Sequence, residues 1–222
     1  MLSLEDRASA VIEEAWGLLP PCKHEAWIST IVLADIGAKH GGYQPDTGQV
    51  TLNTRLFWGS DAYELLYIDI NGDYPARCEP YCSRALHTTL HELAHAIGRS
   101  TGIDEDPGWL ALSAWERTGE DRHTTRRYVE DRPGWEPHGP SEWRYKHGTW
   151  FPRPYSSKSP HECMSDCIAH IALGWHSSVT NPNGRAKFRF LQRELWGIRE
   201  PARLQAAAQR WRHVLHSVGT EG

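Results

Sequence analysis

Ser83-Arg-Ala-Leu86-His87-Thr-Thr-Leu90-His91-Glu92-Leu93-Ala94-His95-Ala-Ile97-Gly98-Arg99 is the stretch on which the reading of this chain turns. Leu86, Leu90, Leu93, Ala94 and Ile97 recur at helical spacing, so the segment is expected to be an amphipathic helix over 83–99. Ser83 is a suitable cap, and Gly98 and Gly102 stand near its end. Within it lies H-E-x-x-H. Residues four apart stand one turn above each other, which lets the His91 and His95 imidazoles reach one zinc ion. Glu92, next to the first histidine, is placed to take a proton from water at the metal.

A catalytic zinc needs a third protein ligand. Thr101 stands where the H-E-x-x-H-x-x-G-x-x-H pattern requires histidine, so that rule is not followed. Two glutamate regions remain. Glu116 falls on an expected short helix over 109–118. Glu162 and Asp166 share a face of a helix expected over 159–173, started by Ser159-Pro160. One of that pair can bind the metal while the other accepts a hydrogen bond from a ligand histidine. Ser159-x-x-Glu162 also matches a capping box, which would compete for the glutamate.

The elements around these motifs point to an α+β protein. An amphipathic helix over 4–19 ends at Pro20-Pro21. Strands are expected over 27–36, 49–53 and 65–70, with a turn at Gly41-Gly42 and another at 45–48. Helices are expected over 185–196 and 200–217, following an Asn181-Pro-Asn-Gly184 turn. Residues 103–158 form an irregular, Trp-rich insertion in what is otherwise one domain over 1–222. Five of the 11 Trp (109, 115, 135, 143 and 150) fall there, and they are expected to make a lid or wall of the active-site cleft.

HELAH together with Glu162-Cys-Met-Ser-Asp166 resembles the gluzincin zinc metallopeptidases, whose second motif is Asn-Glu-x-x-Ser-Asp. His161 replaces the asparagine. Tyr155, seven residues before Glu162, is similar to the arrangement in the anthrax-lethal-factor-like toxin metalloproteases. The resemblance implies a zincin-like fold, with a small mixed twisted sheet whose edge strand lies over the active-site helix, and a helical C-terminal part. It implies one catalytic zinc held by His91, His95 and Glu162, with Asp166 supporting a ligand from behind. It also implies a Tyr155 hydroxyl near the reacting oxygen, and a peptide lying along Gln49, Val50, Thr51, Leu52 and Asn53 as the sheet edge. His161 or His170 is expected to make a further supporting bond, and His87 to face solvent. One of His123, His138 and His147 could also reach the site.

The expected activity is zinc-dependent hydrolysis of a peptide or protein substrate. Alternatives are an amidohydrolase for peptidoglycan or small peptides, a zincin domain similar to anti-restriction or polyvalent proteins (in which Glu116 would be the ligand), and a non-catalytic zincin-like module. The chain is 222 residues long with a net charge of −4, and 39% of its residues are hydrophobic. This composition excludes fibrous and wholly disordered classes and predicts no nucleic-acid partner. Eight Lys/Arg within 185–213 are the only local basic bias, expected to be a solvated helical face, with contact to nucleic acid, a membrane or an acidic partner as the alternative. The N-terminal stretch has neither a signal-peptide pattern nor a membrane span, so a cytoplasmic location is expected, with specialised export left open. Of the five cysteines, Cys78/Cys82 and Cys163/Cys167 form C-x-x-x-C pairs. They can be buried apolar groups, disulfides or metal ligands, and the first is favoured.

Overall fold

A computed structural model describes residues 3–21, 28–58, 83–117, 135–137, 143–146 and 148–197. The architecture is α+β. Helix α1 (Leu4–Leu18) begins at a capping box in which Ser3 and Asp6 satisfy each other's backbone N–H. Strands β1 (Thr30–Ala34), β2 (Gly41–Gln44) and β3 (Gln49–Asn53) form a sheet of order β1-β3-β2. β1 runs parallel to β3, and β2 runs antiparallel to it.

This order corrects the expected edge. Gln49–Asn53 is the central strand, because both of its backbone edges are used by neighbours and Val50 and Leu52 point into the core. A peptide therefore has no ladder to join there. Gly41-Gly42, which looks like a turn in the sequence, belongs to β2 and forms the hairpin with β3 through 45–48.

Asn53 secures the connection between β1 and β2. Its buried amide donates to the Gly37 and Lys39 carbonyls at 3.0 and 2.6 Å, and its backbone N–H donates to the His40 carbonyl at 2.9 Å.

Helix α2 (Arg84–Thr101) is capped by Ser83 and ended by Gly102, which has φ +67°. It packs against α1, β2, β3 and α4 (Pro160–Ala172), so almost its whole surface is buried rather than one face. Helix α5 (Pro182–Trp196) starts three residues earlier than expected. Asn181 accepts from the Asn183 and Gly184 N–H groups and Pro182 fills the first helical position, so the supposed turn is the helix start. Lys187 of α5, counted in the basic bias, is buried and donates to the Trp150 carbonyl.

The insertion is more regular than expected. It holds α3 (Pro107–Leu112) and a second sheet of β4 (Glu116–Arg117), β5 (Trp135–Pro137) and β6 (Trp143–Lys146), in the order β4-β6-β5. The helix expected over 109–118 stops at Leu112, and Ala114 has φ 48°, which breaks it before Glu116. Trp109, Trp115, Trp143 and Trp150 are buried in the same apolar cluster as α2 and α4. Trp115 meets Trp143, Tyr145 and Phe151 edge to face. These rings are core, which corrects their expected role as a lid. Burying a ring removes roughly 150–250 Å² from water, about 4–6 kcal/mol before entropic costs.

Cys163 and Cys167 are buried free thiols, one helical turn apart on α4. Cys22, Cys78, Cys82, the strand expected over 65–70 and the helix expected over 200–217 lie outside the described residues. Among the described residues no helix is long and apolar enough to cross a membrane.

Replacing Asn53 by Ala removes both amide bonds to the β1–β2 connection, which predicts a loss of about 1–2 kcal/mol in urea unfolding. An unchanged midpoint would contradict this role.

Candidate metal centre

Helix α2 carries His91 and His95 on successive turns, their rings nearly perpendicular and their Nε2 atoms 3.2 Å apart. The first turn of α4 brings Glu162 to them. Its Oε2 lies 2.9 Å from His91 Nε2 and 3.4 Å from His95 Nε2. The three side chains together form a group able to hold a metal ion, with donor atoms all within 4.8 Å of one another. Two nitrogens on one tetrahedral ion at about 2.0–2.1 Å stand roughly 3.3 Å apart, so the imidazole spacing fits a single cation. The capping conflict is resolved by division of labour. Ser159 Oγ accepts from the Glu162 N–H, while the Glu162 carboxylate turns to the histidines.

Asp166, one turn beyond Glu162, accepts a hydrogen bond from His91 Nδ1 at 2.8 Å. That bond orients the imidazole and leaves Nε2 to face the centre. Asp166 is fully buried and takes further hydrogen bonds from Ser156 Oγ and from Nε and Nη2 of the Arg153 guanidinium. Burial opposes its charge, but His91 and Arg153 hold its carboxyl well below the ordinary range. Arg153 and Ser156 went unnoticed in the sequence because only the fold brings the preceding 3₁₀ turn (Pro154–Lys158) against α4. Burial also works against a charged His91, yet Asp166, Glu162 and Glu92 raise its pKa to about 10.

Glu92 is buried beneath the edge strand. A methyl group at Gly41 would come 2.8 Å from both Glu92 Cγ and Oε1, so only glycine lets β2 cross here without displacing the carboxylate. Burial raises the Glu92 pKa, the two histidines pulling it back in part. The Tyr155 hydroxyl donates to Glu162 Oε1 at 3.1 Å. Burial and the neighbouring Glu162 charge raise its pKa, which keeps the phenol a donor. Lys158 Nζ lies 3.9 Å from its ring centroid.

Other expected participants lie elsewhere. His161 makes no contact with the ligands. Its Nδ1 lies 2.8 Å from Asp104 Oδ2, since adjacent helical residues diverge by about 100° and His161 cannot share Glu162's direction. Glu116 pairs with Arg144 in the second sheet. His87, expected in solvent, is buried between Trp175 and His91, and His170 is buried beside it. Burial lowers both their pKa values, His170 to about 3, so they act as neutral core rings. His123, His138 and His147 lie outside the described residues.

Two cavities flank the centre, of about 440 and 420 Å³, and both are lined by Gly41, His91, Glu92 and Tyr155. Tyr43, stacked parallel to His95 at 6.3 Å, and Arg99 line the first and were missed in the sequence. No family model, curated protein or solved structure matches the chain.

Dialysis against a divalent ion should load about one equivalent per chain, read by elemental analysis. His95→Ala and Glu162→Ala should lose it with unchanged circular dichroism, and Asp166→Asn should weaken affinity about 10–100-fold. The ion competes with a proton for His91 Nε2, so affinity should fall with decreasing pH. Binding near neutral pH should release about one proton, measurable by calorimetry in buffers of different ionisation enthalpy.

Proposed function

We propose that the chain is a zinc-dependent endopeptidase of zincin-like fold, related in its chemistry to the gluzincins it resembles. The observation that carries this reading is the crossing of the edge strand over Glu92, beside the His91/His95/Glu162 group. β2 has no partner on its outer side among the described residues. Its backbone can hydrogen-bond an extended peptide and bring a carbonyl to the cavity junction. Two imidazoles and one carboxylate are a donor set suited to catalytic zinc.

When bound, zinc supplies Lewis-acid polarisation of water and of the scissile carbonyl. The residues of the chain do the rest. Glu92, kept basic enough by burial, takes a proton from the attacking water and delivers it to the departing amine. Tyr155 gives up its bond to Glu162 and donates to the oxyanion that develops on the carbonyl. Asp166 and Arg153 hold His91 in place throughout. A cleft that continues on both sides of the centre supports an elongated peptide rather than a compact amide.

Glu92→Gln should keep its zinc and lose hydrolysis of a peptide library by about 10²–10⁴-fold. Tyr155→Phe should lower kcat by about 10²-fold with little change in KM. Equal turnover by wild type and Glu92→Gln would remove the proposed base.

A further inference from the structure

The two arms of the cleft differ in charge. The arm beside residues 38–41 is lined by Lys39, Arg153 and Lys158, with Glu92 its only carboxylate among the described residues. The arm beside Tyr43 and Pro45 is lined by Asp104, Glu105, Glu92 and Glu162 against Arg99. Pairing decides which charges remain at each end. Arg153 is committed to Asp166, which leaves Lys39 and Lys158 as the cations that face the cavity. The Lys39 and His40 carbonyls are pinned by Asn53, and the Lys158 ammonium rests on the Tyr155 ring. Arg84 Nη1 lies 2.9 Å from Nε2 of His40, which lines the same arm. At the other arm Asp104 faces His161 and Glu105 faces Arg117, so the acidic wall is largely balanced.

Strand direction turns this asymmetry into a substrate preference. β2 runs from Gly41 to Gln44, so its N-terminal end lies at the basic arm. Antiparallel pairing is the more stable ladder, and a peptide so paired has its C-terminal half at that end. Resting on the peptidase reading above, we propose that this cleft selects peptides with an acidic side chain on the C-terminal side of the scissile bond, held by Lys39 and Lys158. Cations at a partly enclosed arm favour a carboxylate over its amide and repel a lysine.

The test uses zinc-loaded full-length protein and internally quenched peptides that differ at single positions. Glu, Gln or Lys is placed one to three residues after the cleaved bond, with a mirrored set before it. Glu on the C-terminal side should exceed Gln by about tenfold in kcat/KM and Lys by more. That ratio should shrink between 50 and 500 mM salt, and collapse in Lys39→Glu and Lys158→Glu chains that retain full zinc occupancy. A set ending in a free C-terminal carboxylate at the same distance distinguishes the two sources of that group. Preference for this set over internal Glu overturns the side-chain assignment. Equal cleavage of Glu, Gln and Lys peptides, a Glu preference only before the bond, or a ratio untouched by both substitutions overturns the proposal. Those results leave the peptidase reading standing, because hydrolysis is still observed. Failure to cleave any peptide defeats both.

Discussion

The hydrogen bond from His91 to Asp166 is the constraint on which the rest of the molecule depends. It joins α2 to α4, the two helices that supply every member of the metal group, and it does so inside the core. A buried carboxylate would normally be costly. Here the cost is met by the His91 ring, the Arg153 guanidinium and the Ser156 hydroxyl, so each lone pair has a partner. Removing the His91 ring or the Arg153 guanidinium takes a charge-assisted partner from a carboxylate that water cannot reach. The spacing of the two helices, and with it the approach of Glu162 to both imidazoles, is thereby fixed by polar bonds as well as by packing.

The features legible in the sequence were those governed by local periodicity. His91 and His95 repeat at one helical turn, as do Glu162 and Asp166, so any helix through them must place each pair on one face. Ser83, Ser159 and Pro160 marked helix starts for reasons of backbone hydrogen bonding that need no tertiary context. The illegible features were set by distant neighbours. Gln49–Asn53 has the composition of either an edge or a central strand, and only the arrival of β1 and β2 on its two sides decides. Gly41 and Gly42 signal a turn by composition, yet both lie in β2, and Gly41 serves a close crossing of strand over helix. Arg153 and Ser156 carry no motif at all.

The tryptophans show the same division. Their density between the two motifs is plain in the sequence, but whether a ring faces a cleft or a core depends on what lies opposite. Trp109 illustrates the outcome, with its indole N–H spent on the Pro160 carbonyl at the head of α4. The inserted helix α3 thus braces the helix that carries Glu162, and the aromatic mass supports the centre from outside it.

Gly41 has a consequence that reaches beyond fit. The carboxyl group of Glu92 is a weaker acid than usual because it is shielded from water, and β2 is part of that shield. Strand position and proton affinity are therefore one variable. A strand held close to α2 keeps the carboxyl shielded, whereas a strand that drifts outward lets water in and lowers its pKa. On the peptidase reading proposed above, recognition along the sheet edge and readiness for proton transfer are linked through the space left by one missing methyl group.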